Sequence, residues 1–232
     1  MRILARNPVP LNNQTLITLL KPSSPSSEQF RAIRTNIDYA AEEQKIRSIL
    51  VTSASHEEGK SMTAANLAVV YAQQGKRVLL IDANLRKPSM HNIFSLNNSA
   101  GLTEVLRKQQ LLEQVIQGCS VPNLTVVTSG KRTSNPAELL SSSMMEELLA
   151  EAYMKYDIVI FDSPGVLSVT DAQILAKQTD GSILVVSSKK TKKDRAQKAK
   201  ELLSSSKRRF LGIVLNGKRM KTDSVNYYNE AK

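Results

Sequence analysis

The sequence predicts an α/β domain in which a mostly parallel sheet carries helices on both faces. Three observations lead there. Apolar stretches of strand length at 45–53, 77–82 and 156–162 alternate with helix-patterned segments. Two of them, R-V-L-L-I-D and Y-D-I-V-I-F-D, are continuously apolar and close on a carboxylate, as strands buried on both faces do. The chain's 232 residues are also enough for one such domain with a well-buried core.

Taken in order, residues 1–25 carry four prolines, several Ser and Asn and little periodicity, and are expected to form a flexible arm. A helical pattern starts at 26–28 and runs to about 43. It carries Glu28, Arg31 and Arg34 on one face, a spacing that lets Glu28 pair with Arg31. The first strand spans 45–53, and a helix follows to about 74, ended by Gly75-Lys76. Strand 77–82 leads into a loop at 83–90 with Asn84, Arg86, Lys87 and Pro88. Residues 102–115 read as one or two helices and 123–128 as a strand. Asn135-Pro136 opens another helix as N-cap and first residue. Strand 156–162 precedes Ser163-Pro164-Gly165. Residues 170–176 are helical, and strands at 182–187 and 211–215 flank a basic helix at 192–203. The folded domain is expected over 26–217, with a polar tail at 218–232 that contains Tyr227 and Tyr228.

Between the first strand and its helix lies Ala54-x-x-x-x-Gly59-Lys60-Ser61. This strand–loop–helix setting is the one a phosphate-binding loop requires. Loop N–H groups and the helix dipole converge on an anion. Glu58, Gly59, Lys60, Ser61 and Met62 are thus the candidate ATP-binding residues, with Lys60 on the outer phosphates and the Ser61 hydroxyl on Mg²⁺. In open α/β sheets ligands bind outside the carboxyl ends of the strands. Asp82 and Asp162 end two such strands, so both are candidate metal holders, and Asp82 could also accept a proton. Lys60, Asp82 and Asp162 form the candidate catalytic set of a single P-loop NTPase domain.

Composition sets limits. Hydrophobic residues make up 41%, and no apolar run nears the ~18 residues of a membrane span. Residues 1–13 do not read as a signal peptide, and the single Cys119 excludes an internal disulfide and a cysteine-based metal cluster. A cytoplasmic protein is expected. The net charge is +11, and residues 187–221 hold 13 Lys/Arg against only Asp194 and Glu201, so the whole excess sits in one late block. That block is either a solvated face or a surface for an acidic partner. Nucleic acid is disfavoured, since aromatics are 4% and no stacking platform is visible.

The segments A-S-H-E-E-G-K-S at 54–61, L-L-I-D-A-N-L-R-K-P at 79–88 and I-V-I-F-D-S-P at 158–164 resemble the three nucleotide motifs of the bacterial tyrosine kinases. The Glu28-x-x-Arg31-x-x-Arg34 strip and the tail tyrosines strengthen the likeness. The resemblance implies an ATP- and Mg²⁺-dependent protein-tyrosine kinase. Its Glu28, Arg31 and Arg34 would join subunits in a ring, and Tyr227 and Tyr228 would be phosphorylated by a neighbouring subunit. It also implies Asn216 as an adenine contact, a cognate tyrosine phosphatase, and a membrane adaptor that recruits the protein to the inner face of the membrane for capsule or exopolysaccharide synthesis. One departure stands out: the family's Asp-x-Asp reads Asp82-Ala83-Asn84 here, with one carboxylate fewer. Two other functions share the fold, a partitioning or positioning ATPase and a nucleotide-responsive scaffold with little catalysis. Against the former, the position of its signature lysine, five residues before Lys60, is Ser55.

Overall fold

The computed structural model describes residues 16–40 and 45–218. In chain order they form α1 (Ile17–Leu20), α2 (Pro25–Ala40), β1 (Ser48–Ser53), α3 (Lys60–Gln73), β2 (Val78–Asp82), α4 (Met90–Phe94), α5 (Leu102–Leu106), α6 (Leu112–Val115), β3 (Gln117–Gly118) and β4 (Leu124–Val127). There follow α7 (Pro136–Leu140), α8 (Ser143–Lys155), β5 (Ile158–Asp162), α9 (Asp171–Gln178), β6 (Gly181–Ser187), α10 (Lys193–Ser204) and β7 (Arg209–Asn216). The strands make one sheet in the order β3-β4-β2-β5-β1-β6-β7, parallel except where β3 pairs antiparallel with β4.

Strand side chains alternate between faces, and this divides the core in two. Leu50, Leu79, Ile81, Val159 and Phe161 face one layer with α5 to α10. Ile49, Val51, Val78, Leu80, Ile158 and Ile160 face the other, with α3 and α4. Each of these side chains is at most 5% exposed, so β1, β2 and β5 are wet on neither face and need no polar alternation. The expected α/β layering, helices on both sides of a mostly parallel sheet, is what forms.

One expectation needs correction, and two features went unread. Residues 16–25 are not part of a free arm: Leu16 is fully buried, and Thr18 donates from both its N–H (3.0 Å) and its hydroxyl (2.8 Å) to Asn66 Oδ1 on α3. Burying one leucine and satisfying a buried amide ties this segment down. Residues 1–15 and the tail from 219 onward, with Tyr227 and Tyr228, lie outside the described residues. The two-residue β3 was not foreseen, because a strand that short leaves no periodicity to read. The basic block also divides, since α10 carries the chain away from the phosphate loop. Residues 189–195 stay beside that loop, and residues 207–209 sit where β7 begins, at the far end of the sheet.

Candidate nucleotide site

β1 feeds the phosphate loop, and α3 begins directly after Gly59, whose φ of 94° lies in the left-handed region. A side chain there would also collide, because a Cβ would stand 2.0 Å from Asn216 Nδ2. The left-handed backbone favours glycine, and any side chain would also force the Asn216 amide to move. Asn216, at the end of β7, donates from Nδ2 to the Glu58 carbonyl at 3.0 Å, so the structure brings this candidate adenine contact against the phosphate loop itself. Glu58 is 3% and Lys60 8% exposed, while Ser61 and Met62 are half-buried at the start of α3.

The two strand-end carboxylates are adjacent by register. β2 and β5 pair with Asp82 opposite Asp162, and the Ala83 N–H donates to the Asp162 carbonyl at 2.8 Å. Both side chains are fully buried, yet their surroundings differ. Asp82 Oδ2 accepts the N–H groups of Ser89 (2.8 Å) and Met90 (2.9 Å), and Oδ1 accepts that of Asn84 (3.2 Å). This carboxylate anchors the loop 83–89 and the start of α4. Burial still pushes it above the ordinary carboxylate range, and the three N–H groups only partly offset this. Asp162 receives no well-formed hydrogen bond on either oxygen. Burial is the chief cause that pushes it up to about 7. Lys60 and the Ser61 hydroxyl are close enough to favour its charged form, and neighbouring Asp82 opposes it.

A buried carboxylate with two vacant oxygens beside a lysine and a serine hydroxyl is a site short of a cation. Mg²⁺ fits that shortage, because it takes one or two carboxylate or hydroxyl oxygens and keeps waters and phosphates for the rest. Among the described residues no group of three His, Cys, Asp or Glu could hold a metal by itself, which excludes an all-protein cage there. His56 is exposed, and His91 stands near Asp82 without completing such a cage.

Asn84 is 4% exposed and closes a local turn, with its Oδ1 accepting the Lys87 N–H at 3.2 Å. An amide oxygen does this as well as a carboxylate would. The same loop is held from outside by Arg86, whose Nε and Nη2 meet the two oxygens of fully buried Asp171 on α9 at 2.8 and 2.9 Å. Sequence reading singled out neither Asp171 nor Thr191, which reaches Glu58 from 133 residues away; separations of that size leave no local signal.

Glu28, Arg31 and Arg34 all lie on α2 and are half-buried. Glu28 pairs with Arg31, Arg31 also donates to the Pro22 carbonyl at 2.8 Å, and Arg34 Nη1 donates to the Val70 carbonyl at 3.0 Å. Within one chain the strip thus already has internal partners.

A phosphate loop after the first strand, with carboxylates at the ends of two adjoining strands, defines the class: a P-loop NTPase domain. A family model described as an AAA domain matches residues 30–204. Tyrosine-protein kinase YwqD of Bacillus subtilis (strain 168) is 53% identical over 216 residues, covering 93% of this chain and 91% of that protein. The crystal structure of the chimerical protein CapA2B2 aligns at a TM-score of 0.86 with 40% identity, over 90% of this chain and 92% of that one. The kinase domain of Escherichia coli tyrosine kinase ETK also reaches 0.86, at 31% identity, over 95% and 84%. The chain belongs to the bacterial tyrosine-protein kinases.

Proposed function

We propose that this protein is an ATP-dependent protein-tyrosine kinase that phosphorylates Tyr227 and Tyr228 of a neighbouring copy. The carrying observation is the buried Asp162 carboxylate, vacant on both oxygens beside Lys60 and Ser61, in a chain whose relatives are tyrosine kinases. When bound, Mg·ATP supplies the phosphoryl group to be transferred and the cation that neutralises it. Lys60 and the N–H groups of 58–62 would hold the outer phosphates, Ser61 and Asp162 would hold the metal, and Asn216 would contact the adenine. Asp82 has its oxygens partly committed to backbone donors but keeps lone pairs. It would help to hold the metal and would stand as acceptor for the tyrosine proton. The products are phosphotyrosine, ADP and that proton. Transfer of this kind needs positioning and charge neutralisation more than covalent chemistry, and such groups supply both.

The test is phosphotyrosine detection on the purified chain with Mg·ATP, alone and with an adaptor's cytoplasmic tail. The signal is expected to vanish in Tyr227→Phe/Tyr228→Phe. A full signal in that variant moves the acceptor elsewhere, and silence of the intact chain even with the adaptor leaves an ATPase switch or a scaffold.

The rest of the reading follows the family. The folded part spans roughly 26–217, now extended back to 16, with 218–232 as the acceptor tail. The kinase works with a membrane adaptor at the inner face of the membrane, opposed by a phosphatase, in capsule or exopolysaccharide synthesis. Among the described residues no helix is long and apolar enough to cross a membrane. Copies assemble in a ring through Glu28, Arg31 and Arg34. Changing all three to Ala is expected to reduce the particle to a monomer in light scattering while the fold persists. An unchanged mass would leave the strip as the intrachain contacts seen here, which on a surface are worth little.

A further inference from the structure

The connection between β6 and α10 reaches over the phosphate loop, and we propose that Thr191 is the positioning residue that sets the loop's shape for phosphate binding. Glu58 lies in the loop at 3% exposure, a place where a carboxylate needs every donor it can find. Its Oε2 accepts the Ser55 N–H at 2.9 Å, which ties the start of the loop to its end. Its Oε1 accepts the Thr191 hydroxyl at 2.5 Å. Thr191 Oγ1 in turn accepts the Ser187 N–H at 2.9 Å, at the end of β6. With that acceptor position filled, the hydroxyl proton is directed to Glu58. The brace therefore runs from a rigid strand, through one hydroxyl, into the phosphate loop.

Two neighbours reinforce it, one from the same connection and one from the first turn of α10. Lys190 Nζ meets Glu57 Oε2 at 2.9 Å, and Arg195 Nη2 donates to Ser55 Oγ at 2.8 Å. The loop needs holding, because Glu57 has φ 57° and Gly59 φ 94°. Two left-handed residues in three positions help turn successive N–H groups toward one side, where an anion binds. Glu57 has a Cβ, and such a residue stays left-handed only where its surroundings impose it. Thr191 and Arg195 hold the residues on either side of it, Glu58 and Ser55. Thr191 does not itself belong to the Gly59–Ser61 cradle; it acts through Glu58.

This inference rests on the phosphate-loop reading but not on kinase activity, so binding is read separately from transfer. Calorimetry with Mg·ADP on the full chain is expected to show about tenfold weaker binding in Thr191→Val, the size expected when a hydrogen bond to a charged group is lost. The KM for ATP should rise by a similar factor while kcat stays within about twofold, since lost preorganisation is paid in binding. Thr191→Ser, which keeps the hydroxyl, should restore both. In the nucleotide-free protein, hydrogen exchange at the amides of 55–61 should quicken in Thr191→Val and return in Thr191→Ser. Should the valine variant fail to fold, Thr191→Ala removes the hydroxyl without added bulk and carries the same expectations. Unchanged affinity and exchange in the hydroxyl-free variant overturns the proposal, as does a serine variant as weak as the valine one. If Mg·ADP binds with this dependence but no phosphate is transferred, the kinase reading alone falls. If the intact chain binds no nucleotide, the phosphate-loop reading falls and this inference with it.

Discussion

Lys60→Ala is expected to remove phosphotyrosine formation almost entirely while leaving the fold intact. Lys60 starts α3 at 8% exposure, and it is the cation that acts on Asp162. In the proposed site its ammonium would serve two charges, the outer phosphates of the nucleotide and the buried Asp162 carboxylate. Removing one preorganised charge of this type costs roughly 10²–10³-fold in transfer rate. Alanine is also a good helix former at this position, so the far-ultraviolet spectrum and the cooperativity of melting should be preserved. A labelling rate within a few-fold of the parent's would remove Lys60 from the catalytic set, and with it the reading of 54–61 as the phosphate site.

Asp162→Asn should separate stability from catalysis in opposite directions. In the parent, burial pushes this carboxyl up to about 7 from an ordinary 3.8. Between those values the folded protein binds a proton that the unfolded chain does not. Stability of the nucleotide-free protein therefore falls as pH rises from about 4 to 7, and levels off above that. Asparagine has no charge to desolvate, so at pH 8 the nucleotide-free variant should melt a few degrees higher, and its share of the pH slope should be gone. With Mg·ATP the order reverses. In the parent, metal competes with the proton, so Mg·ATP should bind more tightly as pH rises through 7. The variant should lose that dependence and roughly 10²–10³-fold in transfer. Calorimetric melts across pH with and without Mg·ATP read both effects. A variant that melts lower at pH 8, or transfers phosphate at the parent's rate, would show that Asp162 is a structural carboxylate.

Much of the fold was legible because its signals are local. A parallel strand buried on both faces must be apolar throughout, and R-V-L-L-I-D and I-V-I-F-D meet that demand without reference to anything distant. The phosphate loop is likewise a local device, with a strand, a left-handed glycine, a lysine and a hydroxyl within eight residues. The ends of helices were readable where capping chemistry marks them, as at Asn135-Pro136. Residues 16–24 were misjudged, because their order comes from a buried leucine and a bond to Asn66, about 48 residues away. Composition alone could not reveal that anchor.

The sequence by itself determined the class of fold, the place of the candidate phosphate loop between the first strand and its helix, and the presence of two strand-end acids. Each of these follows from the solvent exposure or backbone conformation that a short stretch must adopt. Only the tertiary structure decided how the two acids differ. Strand register sets Asp82 opposite Asp162, but the returning loop spends three N–H groups on Asp82 and none on the side chain of Asp162. Burial is equal at both, so the donors that folding brings to each oxygen make one a loop anchor and leave the other without a well-formed hydrogen bond. The same holds for Thr191, whose hydroxyl matters only because the sheet order brings the end of β6 beside the loop that follows β1.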